Sequence, residues 1–272
     1  MNRRELLIGG GVTLLSAACP VSPACSRPWS WPEDRAGAVS MTYDDGLGSH
    51  LDVAMPALEQ RGLSGTFYVT MNDIGPRLPE WAAASARGHE LANHSMNHPC
   101  GLQLLDPEAF VAREIAPMEK WLRSVASPDR VATYAYPCDV TDLGRGSPNR
   151  QAHRYAQLLA KQGIAAARTS EGEPNKPSTA LRRPYRLQAL AVGYDASTIA
   201  AVLQYLAIAA RRGHWAILVF HHLVPTVETA GQVAIDMHAR VLDGIAGLPL
   251  WCAPLGNVFE TIRGRQRTGE LG

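Results

Sequence analysis

Two adjacent carboxylates, Asp44 and Asp45, stand between the run AVSMTY and Gly46. Two histidines four residues apart, His94 and His98, sit in NHSMNHP, and two more, His221 and His222, close the run WAILVF. Carboxylate oxygens and neutral imidazoles are common donors to a divalent transition metal, and the same groups pass protons near neutral pH. Histidines at i and i+4 share one face of a helical turn and so can reach one ion. Each feature alone has an ordinary explanation, because Asp-Gly often closes a hairpin and an isolated HxxxH occurs in many chains without a metal. The placement of these residues on the surrounding elements decides between the readings.

From Gly37 onward, short apolar runs alternate with longer amphipathic stretches. Strands are expected at AVSMTY, GTFYVT, HELAN, VATYAY, IAAAR, WAILVF and LPLWC. Helices are expected at SHLDVAMPALEQRG, closed by Gly62, at PEWAAASARG, closed by Gly88, and over 106–124, 152–162, 197–212, 233–245 and 257–262. The stretch after IAAAR, rich in Pro, Glu and Arg, reads as a loop. Repeated βα units predict an α/β fold with a parallel sheet, open or closed into a barrel. In a closed barrel, chemistry collects at the C-terminal ends of the strands. That rule gathers Asp44 and Asp45, His94 and His98, Tyr136 and Pro137, and His221 and His222 at one mouth.

The ordered set TYDDG (42–46), HSMNH (94–98), YAYP (134–137) and ILVFH (217–221) resembles the motifs of the polysaccharide deacetylases of carbohydrate esterase family 4, the chitooligosaccharide-deacetylase-like domain. The stretches GLSGTFYV and RGHELANH resemble that family's second and third strands. The resemblance covers residues 37–264 and implies a distorted (β/α) barrel of about seven parallel strands. It implies a metal-dependent hydrolase that removes N- or O-linked acetyl groups from an acetylated polysaccharide or oligosaccharide. On the family pattern Asp45, His94 and His98 hold one divalent metal ion, zinc by preference, with cobalt, manganese and nickel as alternatives. Asp44 is the general base and His221 the general acid. Tyr136, Cys138 and Arg168 are the expected substrate-side residues, with the backbone N–H of Cys138 facing the oxyanion.

Two features depart from the pattern. Ala135 stands where family members often carry an arginine that pairs with the catalytic base. Arg168, at the end of the fifth expected strand, is the replacement favoured by position. Arg182, Arg183 and Arg186 are the other choices, and each also reads as part of a solvated basic patch. No D-x-x-D-W-like segment is present, so the carboxylate partner of His221 stays open among Asp139, Asp142 and Asp195. The missing arginine motivates an alternative, a carbohydrate-binding envelope protein that keeps the fold with impaired catalysis. His222, beside His221 on a strand, is expected to point away from the cleft.

Cys100 and Cys138 each lie just beyond a motif, placed either to bridge beside one cleft or to remain separate buried thiols. No CxxC occurs among the five cysteines, which leaves zinc ribbons and thioredoxin-like sites unsupported. Tyr43, Tyr134, Tyr136 and Trp81 read as sugar-stacking or as core aromatics. Trp29 and Trp31 read as a loose patch or as a strap across the lower end of the barrel.

The formal net charge of +1 offers no basic face for nucleic acid, and 46% hydrophobic residues suffice for a large core. The start MNRRELLIGGGVTLLSAAC has a basic head and an apolar run too short to span a bilayer, the form of an export signal. Residues 1–24 are expected to be that signal, by a twin-arginine or general secretory route, with lipidation of Cys19 left open. Residues 25–36 read as a Pro/Ser-rich linker, 37–264 as the catalytic domain and 265–272 as a polar tail. The expected location is the cell envelope or the exterior, with no membrane span after processing; the sequence leaves the oligomeric state open.

Overall fold

The computed structural model describes residues 30–127 and 129–269. The expected export signal, Cys19, Cys25 and Trp29 lie outside them. Seven strands follow the path of a parallel sheet: β1 (Gly37–Asp45), β2 (Thr66–Val69), β3 (Glu90–Asn93), β4 (Thr133–Ala135), β5 (Ala166–Arg168), β6 (Leu190–Ala191) and β7 (Trp215–Phe220). Their order is β5-β4-β3-β2-β1-β7-β6. A separate parallel pair follows, β8 (His222–Val224) with β9 (Gln232–Ala234). The last strand, β10 (Leu250–Cys252), returns to β1.

Strand β1 is the spine. Its first half pairs with β10, Gly37 opposite Leu250, and its second half with β2, Thr42 opposite Thr66, while β7 runs along its other edge. The sheet curls so that the segment leading into β6 bridges back to β5, Leu187 N donating to Ala167 O at 3.0 Å and Thr169 N to Leu187 O at 3.0 Å. This is the expected distorted (β/α) barrel.

Side-chain alternation sorts β1 into two faces. Val39, Met41 and Tyr43 pack outward with Leu206, Ala209 and Leu242 of the surrounding helices. Ala38 packs inward with Trp215, Ile217 and Val219 of β7. Ser40 and Thr42 share that inner face and are buried, their hydroxyls donating to Ala253 O at 2.9 Å and Leu218 O at 2.8 Å. Two residues further along the same face is Asp44. The opposite end of the barrel is closed by the helix Leu255–Arg267, whose first-turn N–H groups donate to Thr66 Oγ1 and Glu90 Oε2, both at 2.8 Å.

Four expectations are corrected. WAILVF is the seventh strand of the chain, because the loop after IAAAR contains the two-residue β6 and a short helix, Pro177–Arg182. Two residues are too few to display a period. NHSMNHP is an irregular loop rather than a helical turn, with φ of 70° at Ser95 and 51° at His98. Trp31 is buried, donates from Nε1 to Gly213 O at 3.2 Å and stacks near Trp251, so it straps the lower end and ordered packing begins before Gly37. At the other end the last helix continues to Arg267, into the expected tail.

Candidate active site

The DDG segment shows how adjacent carboxylates enter one cleft. Asp44 keeps the inward direction of the strand and is buried. Asp45 then adopts φ 79°, as does Gly46, so the backbone turns through the left-handed region and the second carboxylate swings to the same side. A Cβ at Gly46 would stand 2.5 Å from Ile74 Cγ2, so glycine is required by space as well as by φ.

His94 follows β3 directly, and its Nδ1–H donates to Ala135 O at 2.9 Å. A carbonyl can only accept, so the Nε2 lone pair is free to face the cleft. Asp45 Oδ1 lies 3.5 Å from His94 Nε2 and 3.6 Å from His98 Nε2. The loop carrying His98 is built by side chains. Asn93 Oδ1 accepts from Ser95 N at 2.8 Å, Ser95 Oγ accepts from His98 N at 2.9 Å, and Glu114 accepts from Asn97 N at 2.9 Å. Asn93 is itself anchored to the buried Glu119, which pairs with Arg130 at 3.0 Å.

Cys100 and Cys138 form a disulfide with Cα atoms 5.5 Å apart. Both sulfurs lie 4.0 Å from His98 Nδ1, so the bridge ties the His98 loop to the turn after β4. In that turn Cys138 and Asp139 have φ of 54° and 56°.

Arg168 enters from β5 and donates from Nη2 to Asp44 Oδ1, both side chains being buried. The guanidinium also lies over the Tyr68 ring, 4.6 Å from its centroid. Ala135 and Arg168 are direct partners in the β4–β5 register. The cation therefore enters at the same height of the barrel, one strand across from the family's usual position.

His221 directly follows β7 and lines the cleft, and the buried His50 donates from Nε2 to His221 O at 2.8 Å. Among the described residues no carboxylate pairs with His221, whose Nδ1 is buried without a hydrogen bond. Asp139 instead accepts from Ser170 N at 2.8 Å, and Asp195 from Ala191 N at 3.3 Å. Tyr194 packs edge-on against the His221 ring, with centroids 5.5 Å apart. His222 is exposed and meets Ser49 Oγ at 3.1 Å.

The cleft has a volume of about 450 Å³ and is lined by Asp44, Asp45, His94, His98, Tyr136, Cys138 and His221, among others. Arg168 lies behind it, touching Asp44. Tyr136 donates to Tyr185 O at 3.1 Å, whereas Tyr43, Tyr134 and Trp81 are core.

Residues 32–163 match the family model described as polysaccharide deacetylase. Through this segment, just under half of its length, the chain is similar to the polysaccharide deacetylases. A family 4 carbohydrate esterase from Streptomyces lividans, solved with acetate, is 17% identical with a TM-score of 0.51, covering 80% of this chain and 92% of that one. The catalytic domain of a peptidoglycan N-acetylglucosamine deacetylase from Eubacterium rectale is 16% identical with a TM-score of 0.52, covering 86% and 94%. A Mycobacterium smegmatis protein assigned as a polysaccharide deacetylase is 16% identical with a TM-score of 0.59, covering 88% and 94%. At these identities the likeness is one of fold. A Bacillus protein named gellan lyase is 28% identical over 153 residues, 56% of this chain but 6% of its own length. This chain thus spans a small part of that curated relative.

The donor set of this cleft fits a divalent ion. Asp45, His94 and His98 offer one oxygen and two nitrogens within 4.8 Å of one another. Bonds of 2.0–2.1 Å in tetrahedral geometry require donor separations of roughly 3.3 Å, close to the Asp45–histidine spacings. The other close group, His98 with Cys100 and Cys138, has its sulfurs committed to the disulfide.

Burial alone would raise the Asp44 pKa, but Arg168, then His94, outweigh it and hold the carboxyl below its ordinary range. Burial likewise opposes charge on Asp45, and His94 prevails and lowers it. His94 is raised, because Asp44 and Asp45 overcome the cost of its burial. Asp44 is therefore an anion beside the candidate metal donors.

Two site residues were not found by sequence reasoning. His50 lies in a helix where no spacing ties it to His221. Tyr194, 55% exposed at the cleft, follows the unrecognised β6. Gly193, with φ of 92°, was the one hint that a sharp turn presents it.

Proposed function

We propose that this chain is an exported, metal-dependent deacetylase that hydrolyses N- or O-linked acetyl groups of a glycan. The observation that carries the reading is the buried Arg168–Asp44 pair beside the Asp45, His94 and His98 donor group in one cleft with His221. Asp45, His94 and His98 would hold the ion, with zinc the preferred candidate. Such an ion supplies Lewis-acid polarisation of the acetyl carbonyl and lowers the pKa of bound water.

The protein's own residues divide the remaining work. Asp44, kept anionic by Arg168, takes a proton from the attacking water. The backbone N–H of Cys138 donates to the oxyanion as the carbonyl carbon becomes tetrahedral. His221 returns a proton to the departing nitrogen or oxygen as its bond to carbon breaks. Tyr136 bounds the acetyl side of the cleft, and Tyr194 offers its exposed ring to a sugar face.

The binding-only alternative rested on the missing arginine at position 135, and Arg168 in the neighbouring register weighs against it. The disulfide supports export, since such bridges persist in oxidising compartments. No helix among the described residues is long and apolar enough to cross a membrane. The test is acetate release from chitooligosaccharides, peptidoglycan fragments and acetylated xylan, with metal analysis of the same sample. Release with about one divalent ion per chain is expected; binding of these glycans without acetate release would favour the alternative.

A further inference from the structure

A second cavity, of about 810 Å³, adjoins the catalytic cleft, and Asp139 and Glu171 line both. Its size is that of a pocket for a sizeable ligand. Lys176, Arg183 and Arg186 line this second cavity and not the cleft. All three are exposed, and no carboxylate lies within ion-pairing distance of any of them among the described residues. The two carboxylates of the lining stand at the boundary with the cleft, where Asp139 is engaged by the backbone N–H and hydroxyl of Ser170. The far part of the cavity is thus cationic, beside a cleft whose own charged groups point at a metal and an acetyl group.

A neutral sugar chain gives such a cation cluster nothing to pair with, whereas an anionic substituent makes charge-assisted hydrogen bonds to guanidinium groups. We propose that this cavity is a subsite for an anionic sugar residue, bearing a carboxylate or a sulfate, in the same chain as the acetylated residue in the cleft. The inference rests on the deacetylase reading and names its substrate class. Arg183 and Arg186 contact the anion, and Lys176 adds a further positive charge.

The experiment uses the full metal-loaded chain and an N-acetylated oligosaccharide with alternating uronic acids, compared with its carboxyl-reduced form and with a carboxyl-reduced, sulfated form. Acetate release gives kcat/KM for each, and calorimetry gives Kd for each. The charged forms should be favoured by about tenfold, the size expected of one charge-assisted hydrogen bond. The preference should shrink with added salt. It should collapse toward unity in the R183Q/R186Q double variant and persist in R183K/R186K. Whichever charged form shows the larger preference identifies the group. Equal kcat/KM and equal Kd for charged and reduced forms, or a preference unchanged in R183Q/R186Q, would overturn the proposal. If no form releases acetate, the deacetylase reading fails, and the Kd comparison alone still decides the subsite.

Discussion

Arg168 and Asp44 meet as a buried ion pair inside the barrel, Nη2 of β5 on Oδ1 of β1, at the height where Ala135 leaves a neighbouring strand without a cation. The relationship explains how the carboxylate proposed as general base is held in this chain. A carboxylate so deeply buried would otherwise take up a proton.

Replacing Arg168 by Met removes the cation and leaves Asp44 buried beside apolar surface. A loss of about 3 to 5 kcal/mol in stability is expected, as when one partner of a buried pair is removed. The Asp44 pKa should rise, so the acid limb of the activity profile moves to higher pH. Arg168→Lys should fall between the two. An unchanged acid limb in Arg168→Met would show that Asp44 is held by something else.

The Cys100–Cys138 disulfide spans 38 residues of chain and flanks His98 Nδ1. Loop-closure entropy puts its contribution near 3 to 4 kcal/mol. Reduction by a dithiol, or Cys100→Ser, should lower the melting temperature and weaken zinc binding in a competition titration. Equal zinc affinity in the two redox states would confine the bridge to stability.

Buried His50 and His238 both have pKa values lowered from 6.5 to about 4, first of all by burial. Between those values the unfolded chain binds protons that the folded chain refuses, so stability falls as pH drops from about 6.5 toward about 4. Denaturant titrations across that range should show the decline, and His238→Gln should make it shallower. A slope unaffected by the substitution would mean that His238 is not excluded from protonation.

Much of the site was legible because its residues lie at strand ends, where a parallel barrel must gather them. Asp44, His94 and His221 needed only the strand pattern and the motifs. The HxxxH spacing suggested a helical turn, yet the loop is held by Asn93 and Ser95 side chains, a local competition that periodicity cannot show. Asp45 turns inward through a positive φ of its own as well as that of Gly46, which the residue types alone do not reveal. Strand β6 escaped notice because two residues carry no pattern, and Tyr194 went with it. Trp31 sat in a Pro/Ser-rich stretch that reads as linker, and its burial depends on Gly213 and Trp251, more than 180 residues away.

The central claim is that Asp44 moves the proton while Asp45 holds the ion, and turnover with metal content in Asp44→Asn tests it most directly. Asp44→Asn should keep about one divalent ion per chain and lose about 10²- to 10⁴-fold in acetate release, the usual share of a general base. Asp45→Ala, measured alongside, should lose both. Near-native acetate release from metal-replete Asp44→Asn would contradict the account.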